Sequence, residues 1–87
     1  MVHELKVNQQ YWPDYKSGLK NNSLRKNDRN FAVGDVCVFR LWLDAKEPEN
    51  SHFVLNEMIV KKITHILHDY DSRNLKAGYC ILSLKNV

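Results

Sequence analysis

The residues best suited to chemistry are Lys20, Ser23 and Arg25, inside the run Ser17-Gly-Leu-Lys-Asn-Asn-Ser-Leu-Arg-Lys-Asn-Asp-Arg29. The chemistry they suggest is anion recognition. A guanidinium holds phosphate oxygens through two parallel hydrogen bonds, whereas an ammonium supplies a compact point charge. Ser23 and Arg25 are two positions apart, so a strand puts them on one face and Leu24 on the other. With Leu24 toward the core, Ser23 and Arg25 face a cleft, and Lys20 joins them from the preceding turn. The alternative role for Arg25 is an ion pair with Asp35 or Asp28 that fixes the turn. Lys26 and Arg29 flank Asn27-Asp28 and suit a nucleic-acid backbone, or simply keep the turn solvated; Arg40 is a further candidate on a strand whose two faces are both mostly apolar. A lysine becomes a general base only where burial or a neighbouring cation removes its proton. The sequence shows no such loss for Lys20, which is read as a cation.

Aromatic side chains near this run add stacking surface. Trp12 and Tyr11 are candidates for contact with a base, a sequence-tolerant interaction, although an aromatic on a lone helix also serves as core. Trp42 reads as core or rim packing. His65 and His68 do not make a metal site, because a three-residue spacing on a strand sends them to opposite faces. No metal, cofactor, disulfide or phosphate-loop motif is expected. Cys37 and Cys80 lie in apolar runs and read as buried free thiols.

These residues need a scaffold, and the hydrophobic pattern describes one. Residues 2–7 alternate as a strand. Asn8 is a candidate N-cap for a short helix over 9–17, in which Pro13 is awkward unless the helix starts near Tyr11. Gly18 is placed to stop it in the left-handed conformation. A polar strand over 21–26, a turn at 27–30 and the tight turn Val33-Gly-Asp35 lead to the strongest strand, 36–43, with Cys37, Phe39 and Leu41 on one face. After a polar loop, 53–67 reads as strand with a break at Leu55-Asn56. Met58 and Val60 fix one face, Ile63 and Leu67 the other, and a bulge near Lys61-Lys62 reconciles them. Leu75 plugs the core edge from the loop 69–78, and 79–84 closes the fold. The expectation is a single α+β domain over 1–87, mainly β with one principal helix, curled into a sheet or barrel.

Composition adds a direction. Of the net charge of +3, all lies in residues 1–40, which hold seven Lys and Arg against four Asp and Glu. Residues 41–87 hold six of each. A basic half favours an anionic partner. No apolar run is long enough to span a membrane and no export signal is visible, so the expectation is a cytoplasmic protein.

Several segments, in order, resemble a known family. His3-Glu-Leu-Lys6, an aromatic-rich helix, Ser17-Gly-x-Lys20, Leu24-Arg-Lys-Asn-Asp-Arg29, Val33-Gly-Asp35 and Gly78-Tyr79 followed by an apolar strand are similar to the small, uncharacterised ASCH-domain proteins of bacteria and their phages. The resemblance implies a PUA-like β-barrel with a helix between its first two strands and a cleft for RNA or a nucleotide. It adds Lys6 and His3, on the strand that borders the family's cleft, with a half-buried structural role as the other reading of His3. Gly18, Lys20 and Arg25 match the family signature Gly-x-Lys-x-x-Glu-x-Arg, but Ser23 stands where the family has glutamate. One branch resembles an amidohydrolase of acetylated cytidine, for which Lys20 and Ser23 match two roles. Its helical glutamate has no counterpart after Leu67. The resemblance therefore implies RNA or nucleotide binding first, a small hydrolase of a modified nucleoside second, and a protein-binding adaptor using Trp12 or Glu47-Pro-Glu49 third.

Overall fold

The computed structural model describes all 87 residues, Met1–Val87. About half of them are in five strands: β1 (Val2–Asn8), β2 (Asn22–Lys26), β3 (Val36–Leu43), β4 (His52–His68) and β5 (Tyr79–Asn86). One helix, α1 (Trp12–Ser17), follows β1 through a 3-10 turn, Gln9–Tyr11. None of the helices is long and apolar enough to cross a membrane. Pro13 falls in the first turn of α1, where its missing N–H leaves no gap in the hydrogen-bond pattern. The 3-10 turn takes up the residues that a longer helix would have placed ahead of it. Asn8 makes no side-chain cap. Gly18 ends the helix at φ 83°, donating its N–H to the Tyr15 carbonyl at 3.4 Å.

The strands form one mixed sheet in the order β1-β3-β4-β5-β2, parallel only between β1 and β3. A parallel neighbour requires a long crossover. Here it is residues 9–35, which carry α1 and β2 with them. The first and last strands of the order still reach each other. Arg25 of β2 donates to the Lys6 carbonyl of β1 at 3.1 Å, and Arg29 donates to the Glu4 carbonyl at 2.6 Å. The sheet therefore curls until its edges meet, but no ladder joins β1 to β2. A closed barrel is not formed; two arginine side chains span the seam.

Alternation puts His3, Leu5 and Val7 of β1, Cys37 and Phe39 of β3, and Cys80, Leu82 and Leu84 of β5 on the buried concave face. Trp12 and Tyr15 of α1 and Phe31 from the loop before β3 complete the core. The bulge in β4 lies further along than expected. Ile63 pairs with Leu84 and His65 with Ser83, so Thr64 is the extra residue. That insertion reverses the facing of the residues after it: Ile66, not Leu67, joins Ile63 in the core. The break at Leu55-Asn56 is a wider irregularity inside one strand. Arg40 pairs with Met58 and Trp42 with Phe53, and Asn56 takes up the slack at φ 64°.

Two polar residues on the concave face anchor the strand ends. Asp35 accepts hydrogen bonds from His3 Nε2 at 2.8 Å and from the Ala32 N–H at 3.0 Å, with the Met1 amino group at 3.2 Å. Asp35 is thus taken by β1, and Arg25 does not pair with it. These contacts, that of His3 first, hold the Asp35 carboxyl below its ordinary value against the opposing effect of burial. Lys61 points inward from β4 and is fully buried, its ammonium donating to Asn21 Oδ1 at 3.3 Å. Its four-carbon stem serves as core.

Both residues have measurable consequences for stability. A carboxyl held below its unfolded value contributes stability above about pH 4, and that contribution is lost as pH falls. Asp35→Asn is therefore expected to be destabilised at neutral pH, with the difference from wild type shrinking in denaturant titrations run between about pH 5 and pH 2. For Lys61, Met keeps the stem and sheds a buried charge. Lys61→Met is expected to stay within about 1.5 kcal/mol of wild type, whereas Lys61→Ala is expected to lose about 2–5 kcal/mol to a cavity. Equal losses from the two would show that the ammonium, not the stem, is what matters.

Candidate nucleic-acid interface

The partners that surround β2, more than its own pattern, decide how it presents its side chains. It is five residues long and pairs with β5 from Asn22↔Ser83 to Lys26↔Tyr79. Ser23 is buried and Arg25 half-buried, whereas Leu24 is 59 % exposed. Leu24 thus faces outward, contrary to the expectation that it turns to the core. Ser23 and Arg25 face the interior, and the cleft opens from that same side through the seam. A serine is tolerated there because its Oγ accepts from Arg25 Nε at 2.8 Å. The guanidinium carbon also lies 5.7 Å from the centre of the Phe39 ring. Arg25 is held at three points and still has N–H donors to offer a ligand.

The cleft between β1, β2 and α1 has a volume of about 440 Å³. Lys6, Lys20 and Arg25 bring three cations to it, Tyr11 and Tyr15 bring aromatic rings, and Ser23 a hydroxyl; no carboxylate lines it. Lys20 Nζ sits 5.3 Å from the centre of the Tyr11 ring and 5.7 Å from that of Tyr15. None of the three cations has a carboxylate within salt-bridge distance, whereas Lys16, Arg29 and Arg40 pair with Glu57, Asp28 and Glu4. Across the Arg25 bridge lies a second concavity of about 270 Å³, where Lys6 and Arg25 are joined by Arg29, Arg40 and Phe53, with Glu4 as its one carboxylate.

The expected site residues thus separate. Lys6, Lys20, Ser23 and Arg25 line the cleft and Arg29 its neighbour. Lys26 is exposed on the outer side of β2 and lines neither. His3 is buried against Phe31, with ring centres 4.7 Å apart, and bonded to Asp35. Trp12 is buried in the core, its Nε1 without a partner. Both lie away from the cleft, because each sits on the face that fills the interior. Tyr15 enters in their place, and Arg40, whose face the strand pattern leaves ambiguous, lines the second concavity. The spacing of Tyr11 and Tyr15, one helical turn apart with Lys20 following, was the available signal for Tyr15. His65 is exposed, while His68 stacks on Tyr70, ring centres 4.9 Å apart.

With that geometry in view, comparison with known proteins places the chain. The model of a domain of unknown function, DUF3850, matches residues 2–84. The chain belongs to this family. Among curated proteins none matches it. The DUF3850 match covers the helix and all of the sheet but the last two residues of β5, and every residue that lines the cleft falls within it.

The two cysteines contribute no reactive group. Cys37 and Cys80 are free and fully buried. Burial pushes the Cys37 thiol up to about 11 and raises that of Cys80 as well. Thiols held neutral react slowly. Native protein is expected to resist iodoacetamide at pH 8, with both cysteines labelled once denatured, as peptide mass spectrometry would register. Rapid native labelling of Cys37 would contradict the burial described.

Proposed function

We propose that this domain binds RNA or a nucleotide-like ligand in the basic cleft at the β1–β2 seam. The observation that carries the reading is the set of three cations, Lys6, Lys20 and Arg25, gathered with two tyrosines in a concavity that no carboxylate lines. Unneutralised cations in a recess concentrate positive potential and attract anions. The tyrosine rings offer surface for a base or a sugar. Arg25 would hold phosphate oxygens with the donors left after Ser23 and Lys6, and Lys20 would supply charge from the turn. Such contacts position the ligand, while polar groups beside them select it. The resemblance to ASCH domains belongs to the same proposal. The helix between β1 and β2 and the curled sheet support a PUA-like relationship, and the buried free thiols suit a cytoplasmic setting.

Hydrolysis of a modified nucleoside is less well supported. Amide cleavage needs a base for the nucleophile and a proton for the leaving amine. Four carboxylates on β1, β4 and the loop after it are engaged elsewhere: Glu4 with Arg40, Glu57 with Lys16, Asp69 with the Gly78 N–H and Asp71 with the His68 N–H. Ser23 Oγ accepts from a guanidinium rather than facing a base.

The test is affinity for single-stranded RNA at several salt concentrations. Arg25→Ala is expected to weaken binding roughly five- to thirtyfold, equivalent to about 1–2 kcal/mol, and to make the salt dependence shallower by about one released counterion. Arg73→Ala, on the exposed loop after β4, is expected to change affinity less than twofold, about 0.4 kcal/mol. Equal effects would remove Arg25 from the site. Acetate released from acetylated cytidine in a Lys20-dependent manner would favour the hydrolase instead.

A further inference from the structure

A concavity of about 530 Å³ stands beside the basic one. It is walled by Asn8, Gln9, Gln10, Pro13, Trp42 and Asp44. It adjoins the basic cleft, with which it shares Asn8, just as that cleft shares Lys6 and Arg25 with the concavity beyond. The three lie along β1 from Glu4 to Asn8. At about 3.3 Å per residue this is about 13 Å of strand, a path for several nucleotides rather than one.

The chemistry of this third concavity differs from that of the other two. No cation lines it, and Asp44 repels a phosphate. Its other polar groups are three amides, which offer paired donors and acceptors. Its aromatic is fixed in place: Trp42 Nε1 donates to Asp44 Oδ1 at 2.6 Å, and the ring meets Phe53 edge-on with centres 4.8 Å apart. Lys6 Nζ lies 4.8 Å over the same indole, so a charge that belongs to the phosphate side touches the aromatic. Amides, an immobilised indole and a carboxylate are what a neutral, planar, hydrogen-bonding group requires. With one Asp44 oxygen held by the indole N–H, the other is left to accept from a ligand donor. A carboxylate selects a base with an exocyclic amino group over one that presents a carbonyl there.

We infer that this concavity is a base-selective subsite of a single-stranded RNA track along β1, in which Asp44 accepts from an exocyclic amine and Asn8, Gln9 and Gln10 bond the base edge. The inference rests on the RNA reading of the basic cleft. Cytosine and uracil are the sharpest comparison, because they differ at the position where one has an amine and the other a carbonyl.

The experiment measures binding of cytidine and uridine trinucleotides to the full chain by calorimetry. The cytidine trinucleotide is expected to bind at least about fivefold tighter, the lower end of what one good base contact supplies. Asp44→Asn keeps an acceptor for Trp42 but can donate as well as accept, and it is expected to bring the two affinities within twofold. As a second variant, Gln9→Ala/Gln10→Ala changes only exposed side chains and is expected to weaken the cytidine trinucleotide about fivefold or more. Arg25→Ala is expected to weaken both ligands alike. Wild-type affinities within twofold of each other, or a preference that survives Asp44→Asn, would overturn the subsite while leaving the basic cleft intact. Absence of binding by either trinucleotide would overturn the RNA reading and the subsite together.

Discussion

Two strands at opposite ends of a sheet come within one side chain of each other and stop there. That spacing governs the rest of the molecule. Had β1 and β2 drawn closer, a ladder would have closed the barrel and buried the edge carbonyls of Glu4 and Lys6. Instead those carbonyls accept from Arg29 and Arg25. An edge carbonyl needs a partner, and a guanidinium has donors enough to serve one and still present others outward. The seam is therefore satisfied without being sealed. Concavities flank it on both sides because arginine bridges the gap at points rather than along a line.

This arrangement explains why positive charge is left unpaired. In most small domains a carboxylate answers each inward or half-buried cation. Here three carboxylates are committed to turns and strand ends instead. Asp35 ties the start of β3 to β1, and Asp69 and Asp71 fasten the loop before β5. Arg25 is supported by a hydroxyl, a carbonyl and the face of Phe39, all of them neutral. Neutral support holds a guanidinium in place while leaving its charge available to an anion.

The parts of the fold that are legible in the sequence are those where local pattern decides. Alternation marks β1 as a strand and groups Cys37, Phe39 and Leu41 on one face of β3, and Pro13 and Gly18 bracket the helix for reasons that hold in any short peptide. The remainder depends on distant groups. Leu24 faces outward because Ser23 and Arg25 find partners inside and across the seam, and no property of one leucine among four polar residues announces that. Lys61 is invisible as a core residue because its aliphatic stem is what is buried. Thr64 shifts the register against β5 by one residue, which reverses the expected placement of Leu67 and Ile66. The site was legible to the same degree. Lys20, Ser23 and Arg25 meet as their spacing suggests, whereas His3 and Trp12 go to the core because the concave face needs filling. That Tyr15 lines the cleft and that Asp44 holds Trp42 follow only from the groups that stand beside them.

The central claim is that the seam between β1 and β2 is the binding surface. Backbone amide shifts in an NMR titration with a single-stranded RNA oligonucleotide would test it most directly. The account predicts shifts concentrated at Lys6, Asn8, Lys20, Ser23 and Arg25, with the loop carrying Asp69, Arg73 and Gly78 unmoved. Shifts centred on that loop, or spread evenly over both ends of the sheet, would contradict it.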